Sequence, residues 1–557
     1  MGASCTGKRV FWGSATLIAT QQHSVLPLHT RAQFFLQTAI FFKFHLTLKN
    51  TALFFKVMEY SIQSAFNKQN EIYSETENSN HLKMQKPLFH FSCPAGWLND
   101  PNGFSFFQGK IHLFYQWHPY STKWGPMHWG HATTTDFINW NLKLPALAPD
   151  SPADSEGCFS GTAINMEDKH ILAYTGVSKE KTLYFQNQCI AIGNGEKYEK
   201  LSENPVITCR NIPFVYEQTD FRDPKIWNED GIFYILCAVK KNNSESALVL
   251  FNSTDLKNWV YVSTFAENRN ELGKIWECPD FFNLNGKDIL IFSPTEMKPD
   301  AKNIFFNGNN SLYATGFLNR QSWTFTREHR KENESTAAQI DYGIDFYAPQ
   351  TTRLPDGRRI MIAWMQSWNA YITPADYKWS GIMTFPREIE YKNEKLFQRP
   401  AREIKNIRTN RVAGSIMPGD QVDIRRLANR HFEISARVDI EDAEDGYIKL
   451  QLGKDNSGYI EIIYDAKESA LTFDRSNTQN PGAISKRTIP VHPDEFGSIS
   501  FNCLVDTCSI EIFVNGGEIA FTNAFFVEPA ANGVSIQSKM KSIIFFDYYR
   551  LGDSKKQ

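Results

Sequence analysis

A chain of 557 residues is too long for one ordinary core and implies about two to four domains. An apolar content of 42% and a net charge of -2 describe a soluble globular protein and exclude a disordered or membrane-embedded chain. The balanced charge, with no outstanding Lys/Arg run, excludes a nucleic-acid footprint, while a 14% aromatic share with 43 Phe and 13 Trp suits β-rich packing and stacking on flat ligands such as sugar rings.

Residues 1–83 read as an N-terminal extension outside the fold, disordered, targeting-like or not native. From Met1 to Val57 there is no Asp or Glu, yet Lys8, Arg9, Arg31, Lys43, Lys49 and Lys56 are all basic, a bias of targeting peptides. Val10–Thr20 resembles a weak apolar core of a signal peptide without a cleavage site, and Phe34–Phe42 is too short to span a bilayer. The other reading is that translation starts at Met58, after which Glu59, Glu71, Glu75 and Glu77 restore an ordinary composition. The nine cysteines are scattered without zinc-type clustering, which favours reduced thiols and a cytoplasmic location, secretion being the alternative. Cys503 and Cys508 are close enough in sequence to pair if oxidised.

From Phe89 the pattern is all-β, in short apolar runs broken by Gly, Asn or Asp. A turn followed by an apolar strand recurs at Gln108-Gly109-Lys110, Asp168-Lys169-His170, Asp230-Gly231, Asn285-Gly286-Lys287 and Asp356-Gly357-Arg358, roughly 55 to 70 residues apart. That period suits a four-stranded propeller blade, so residues 84–405 are expected to form a five-bladed β-propeller. A second marker agrees: Thr135-Asp136-Phe137-Ile138-Asn139-Trp140 returns as Thr254-Asp255-Leu256-Lys257-Asn258-Trp259. Residues 406–557 read as a linker and a β-sandwich, with Ala401–Asp423 as the connecting segment. Its strands are expected at 431–440, 446–452, 458–465, 470–473, 497–504, 509–514 and 543–551.

One polar cluster stands roughly eight to ten residues before each of the five turns. The clusters are Asn99-Asp100-Pro101, Phe159-Ser160-Gly161, Phe221-Arg222-Asp223-Pro224, Trp276-Glu277-Cys278-Pro279-Asp280 and Asp345-Phe346-Tyr347-Ala348-Pro349-Gln350. In a propeller these are the starts of the innermost strands, which face one another around the channel, so Asp100, Asp223 and Glu277 should converge from matching repeat positions. Each acid taken singly could equally satisfy backbone N–H groups at a strand start or an Asx turn. Three together suit glycoside hydrolysis, in which one carboxylate attacks or positions water and a protonated one serves the leaving oxygen. A calcium or magnesium site built from the same oxygens is the competing reading. Trp97, Trp117, Trp124, Trp129, Tyr347 and Trp364, with the amides Asn99, Gln116 and Gln350, are suited to a sugar pocket. His118, His128 and His131 lack partners at metal spacing and read as structural or rim residues.

These motifs resemble glycoside hydrolase family 32, the invertase, levanase and inulinase family, from about Pro87 to Leu551. The similarity rests on Trp97-Leu98-Asn99-Asp100-Pro101-Asn102-Gly103, Arg222-Asp223-Pro224, Glu277-Cys278 and Phe159-Ser160-Gly161, with further likeness at 341–350 and 512–517. The resemblance implies a propeller with an appended sandwich and no cofactor or metal. It implies a retaining β-fructofuranosidase acting on sucrose or sucrose 6-phosphate, with Asp100 as nucleophile, Glu277 as acid and then base, and Asp223 holding fructose hydroxyls. In such a mechanism the two reacting carboxyl groups stand about 5 to 5.5 Å apart. Trp97, Asn99, Gln116, Trp124, Phe159, Ser160, Arg222, Tyr347 and Trp364 would bind substrate, and the rim at 364–369 and 371–377 would select among sugars. A fructan hydrolase, a fructosyltransferase and a non-catalytic fructoside-binding protein remain as alternatives. The partner is a small sugar, with no nucleic acid or membrane, and association of copies through the sandwich is an expectation.

Overall fold

The computed structural model describes residues 60–552 except 215, 243–244, 301–303, 330–334, 369–370, 424–429, 441–444, 457 and 529. The basic stretch Met1–Val57, the candidate start at Met58 and Asn369 of the rim lie outside the described residues. Five antiparallel sheets follow one another, with innermost strands Gly96–Phe107, Gly157–Met166, Phe221–Glu229, Trp276–Leu284 and Tyr347–Arg353. Each innermost strand packs against the next, and the fifth returns to the first, so the sheets close into a five-bladed propeller. Residues 379–383, between the second and third strands of the last blade, seal the ring. Trp379–Ser380 pairs with Gly96–Trp97, and Ile382 bridges Ser92.

Local chemistry explains the blades. The hairpins at Gln108-Gly109, Asp230-Gly231 and Asn285-Gly286 hold both central residues at positive φ (46° and 77°, 53° and 82°, 54° and 82°), the two-residue turn that matches strand twist. The two related hexapeptides do the same job two blades apart. Asp136 Oδ1 accepts from the N–H groups of Ile138 and Asn139, and Asp255 Oδ1 from those of Lys257 and Asn258.

The sandwich is larger than the sequence reading. Two six-stranded sheets run in the order Arg408–Ile416, Ile544–Leu551, Phe432–Asp439, Ser498–Asp506, Ser509–Val514, Ile519–Ala524 and Gln421–Asp423, Gly533–Ser538, Tyr447–Lys454, Ile460–Asp465, Ala470–Asp474, Lys486–Pro490. The seven expected strands are all present and all interior. The four edge strands and Gly533–Ser538 were not anticipated, and Ala401–Asp423 is corrected from connector to a segment carrying two of those edges. Arg408–Ile416 is mostly exposed or half-buried, so the alternation that betrays a strand is missing.

The propeller and sandwich meet through buried ion pairs. His90 lies between Asp506 and Glu511, 2.8 Å from each, and Arg387 pairs with Glu511 and with Asp341 (2.8 Å). Gly343 lies so close that a Cβ there would stand 1.8 Å from the Thr522 carbonyl oxygen, which fixes the approach of blade five to the sandwich edge.

Residues 60–83, placed outside the fold by the sequence reading, are structured together with 84 and 85. Ser61 caps the helix Ile62–Glu77 by accepting from the Ser64 N–H, and Ser79 caps the short helix Asn80–Gln85. The buried stripe is Ala65, Gln69, Ile72 and Thr76. Two of its four members are polar, so helical hydrophobic periodicity did not mark it.

Candidate active site

Each innermost strand is interrupted near its start by one extra residue relative to its partner. In blades three, four and five the interruption has one form: a paired residue, a non-glycine residue at positive φ, then proline. These are Arg222-Asp223-Pro224 with Asp223 at 64°, Glu277-Cys278-Pro279 with Cys278 at 49°, and Tyr347-Ala348-Pro349 with Ala348 at 51°. Proline lacks the N–H that a regular ladder needs, and a bulge re-aims the adjoining side chains. Blades one and two carry their bulges at Asn99-Asp100 and at Ser160. Asp223 and Glu277 therefore do not stand at matching repeat positions, contrary to the expectation from sequence. Glu277 is the register equivalent of Arg222 and Tyr347, while Cys278 is the equivalent of Asp223.

This register assembles the site. Arg222 donates through Nε (3.1 Å) and Nη2 (2.8 Å) to Glu277 Oε1, and Tyr347 donates its hydroxyl to Glu277 Oε2 at 2.6 Å. On the bulge residues, the Cys278 N–H donates to Asp223 Oδ2 at 3.0 Å, and the Cys278 thiol lies 3.6 Å from Asp100 Oδ2. Ser160 Oγ donates to the same Asp100 oxygen at 2.7 Å, while Asp100 Oδ1 has no hydrogen-bond partner. Asp100, Asp223 and Glu277 line one cavity of about 360 Å³ together with Asn99, Gln116, Trp124, Phe159, Ser160, Gln186, Asp220, Arg222 and Trp368.

Burial dominates the electrostatics. It pushes the Asp100 carboxyl up to about 6, aided by the Glu277 charge and opposed by the Ser160 hydrogen bond. Asp223 is pushed up to about 7 by burial, with the Arg222 charge opposing and Glu277 and Asp100 adding. Arg222 is held more firmly protonated than usual: burial opposes its charge, but Glu277, Asp223 and Asp220 outweigh it. A fixed guanidinium among these carboxylates already supplies the positive charge that a calcium or magnesium ion would bring, which weighs against the cation reading.

Of the expected substrate-binding residues, Asn99, Gln116, Trp124, Phe159, Ser160 and Arg222 line the cavity. Trp97, Tyr347 and Trp364 do not, and lie in a layer behind its wall. Trp97 stacks on Trp368 (6.0 Å between centroids) and Tyr371 (5.9 Å), fully buried Trp364 meets Trp97 edge-on, and Tyr347 reaches the site only through Glu277. These rings carry the largest burial payload near the site and fill its support. His118, His128 and His131 are buried and do not line the cavity. Two lining residues were missed. Asp220 accepts from Arg222 Nη1 at 2.7 Å, and strand alternation from Arg222 could have found it. Gln186 accepts from the same nitrogen at 3.1 Å from the third strand of blade two, where no local signal marks it.

Comparison with known proteins agrees with this geometry. Residues 90–400 match the glycosyl hydrolases family 32 N-terminal domain, and residues 394–548 match the family's C-terminal domain. The chain is 31% identical to raffinose invertase of Escherichia coli over 469 residues, covering 83% of this chain and 94% of that protein. It is 31% identical to sucrose-6-phosphate hydrolase of Bacillus subtilis, covering 84% and 95%. Among solved structures, the Bombyx mori GH32 β-fructofuranosidase superposes with a TM-score of 0.76 at 29% identity, covering 88% of this chain and 98% of that one. The bulged blade starts, the shared cavity and a match to both family domains lead to one conclusion: the chain belongs to glycosyl hydrolases family 32 and is a glycoside hydrolase.

Proposed function

We propose that this protein is a retaining β-fructofuranosidase that hydrolyses the terminal β-D-fructofuranoside bond of sucrose or sucrose 6-phosphate. The observation that carries the reading is that Asp100 and Glu277 share one cavity, with Asp100 Oδ1 unpartnered and Glu277 oriented from both sides. Asp100, ionised above about 6, attacks the anomeric carbon of the fructosyl unit. As that bond forms, the bond to the leaving oxygen breaks and Glu277 gives the oxygen its proton. Water then attacks the fructosyl-enzyme, Glu277 takes the water's proton, and Asp100 departs as carboxylate. Asp223 holds sugar hydroxyls and balances positive charge on the ring in the transition state. Support for the sugar class comes from the raffinose invertase and sucrose-6-phosphate hydrolase relatives, and from an aspartate-to-alanine variant of the Bombyx mori enzyme in complex with sucrose.

The catalytic unit in this reading is 84–405, with 406–557 as the sandwich domain. A reducing, cytoplasmic setting is supported by the seven described cysteines, all buried free thiols, including Cys503 and Cys508. No helix among the described residues is long and apolar enough to cross a membrane.

The test is release of glucose, glucose 6-phosphate and fructose from sucrose and from sucrose 6-phosphate by protein produced from Met58, beside Asp100→Asn and Glu277→Gln. Wild-type cleavage of either sugar with loss of about three or more orders of magnitude in both variants is expected. Near-full activity in Asp100→Asn would remove the nucleophile assignment, and kestose-type oligomers in place of free fructose would make the enzyme a transferase.

A further inference from the structure

The family match begins at residue 90, yet the two helices before it contact two loops that each place a residue on the cavity. The mouth carries two half-exposed tryptophans, Trp124 and Trp368. Trp124 sits in the loop 119–127 between the strands Lys110–His118 and His128–Thr134, and Trp368 in the loop 365–378 that precedes Trp379–Ser380. Between the loops the Tyr371 hydroxyl donates to the Thr122 carbonyl at 3.3 Å.

The N-terminal segment holds both loops. Tyr120, at the base of the first, donates its hydroxyl to Ser64 Oγ at 3.1 Å and packs edge-on against Tyr60 at 5.4 Å. His128, where that loop ends, meets the Tyr60 carbonyl through Nε2 at 2.9 Å. Gln85, at the end of the second helix and buried, donates to Asp376 Oδ2 of the second loop at 3.3 Å. Between these anchor points Ala65 is fully buried in the same core cluster as Trp97, Trp364, Tyr377 and Trp379. The helical pair is thus fastened near both ends, with one end on each mouth loop.

We infer that residues 60–85 are a positioning element that holds Trp124 and Trp368 at the mouth and so sets the affinity for the sugar unit beyond the scissile bond. This inference rests on the proposed sucrose-cleaving function. Polar contacts and one packed helix face fix the two loops, so loosening the helices widens the range of tryptophan positions. Asp100 and Glu277 stand on blade strands, held by Ser160, Arg222 and Tyr347 and not by the helices, so their chemistry should be retained. A part of the substrate bound equally in ground and transition states is lost as KM and not as kcat.

The test compares wild type with Ser64→Ala/Gln85→Leu, which removes one hydrogen bond to each loop, and with the chain beginning at Lys86. The expected result for the double variant is a KM for sucrose raised about three- to tenfold, kcat within about twofold, and inhibition by free fructose unchanged. Hydrogen–deuterium exchange should be faster in 119–127 and 365–378 and unchanged in the innermost strands. The truncated chain should show the same split, more strongly. An unchanged KM and unchanged exchange in the double variant would overturn the inference, as would a loss of kcat and of fructose inhibition alongside the raised KM. If the truncated chain fails to fold, the double variant decides. If wild type cleaves no sucrose, the proposed function fails, and the exchange data alone still judge whether the helices hold the loops.

Discussion

Replacing Asp100 by Asn should make the protein more stable at neutral pH while abolishing turnover. In the folded protein the Asp100 carboxyl is pushed from its ordinary 3.8 up to about 6, with burial the largest cause. A carboxyl whose folded value lies above its unfolded one binds its proton more tightly in the native state, so stability falls as pH rises from about 4 to about 6 and stays reduced above that. About two units at 1.36 kcal/mol each put the cost of the ionised form at roughly 3 kcal/mol. Asparagine removes the charge and keeps an oxygen to accept from Ser160. Asp223 is itself raised in part by Asp100 and should ease in the variant. The amide N–H that Asn introduces loses about 1 kcal/mol if unpaired, leaving a net gain of about 2 kcal/mol at pH 7.5. Thermal unfolding followed by tryptophan fluorescence at pH 4, 5, 6 and 7.5 measures it. The Tm advantage of the variant should be largest at pH 7.5 and vanish by about pH 4, with sucrose cleavage lost at every pH. A difference independent of pH, or a variant less stable at pH 7.5, would refute the claim that catalysis keeps a desolvated charge at Asp100.

Tyr347→Phe removes the hydroxyl 2.6 Å from Glu277 that helps orient it; a hydrogen bond contributes about 0.5–1.5 kcal/mol, so kcat/KM should fall about twofold to tenfold with the fold intact by circular dichroism. His90 is raised to about 9 because its bonds to Asp506 and Glu511 outweigh burial; its contribution is complete below about 6.5 and lost as pH rises through about 9. The Tm advantage of wild type over His90→Gln should therefore shrink between pH 7 and 10, and a constant difference would count against the charged imidazole. The buried histidines His112, His131 and His170 of the first two blades are held neutral by burial, with His112 lowered to about 4 and His170 to about 3. Their unfolded forms take up protons first, so Tm should fall as pH drops from 6.5 toward 4, and His170→Gln should flatten that slope.

The sequence by itself determined whatever depends on neighbours along the chain. Hairpins such as Asp230-Gly231 demand positive φ, so the blade period was legible, and with it the ring that brings Asp100, Asp223 and Glu277 together. The sandwich strands that were legible are the interior ones, because strands covered on both edges and one face must alternate. The edges Arg408–Ile416, Gln421–Asp423, Lys486–Pro490 and Ile519–Ala524 need only half their partners and carry weaker patterns.

Only the tertiary structure decided which residue of each cluster enters the cavity. A bulge adds one residue and shifts every side chain after it to the opposite face, so Glu277 takes the register of Arg222 and Tyr347, and Cys278 that of Asp223. Gln186 reaches Arg222 from another blade, and Trp97, Tyr347 and Trp364 pass from wall to support, because these are contacts across the ring, where sequence distance carries no information. The helices of residues 60–85 follow the same logic. Their buried stripe is half polar, and its burial exists only because the two loops and core of a completed propeller lie against it.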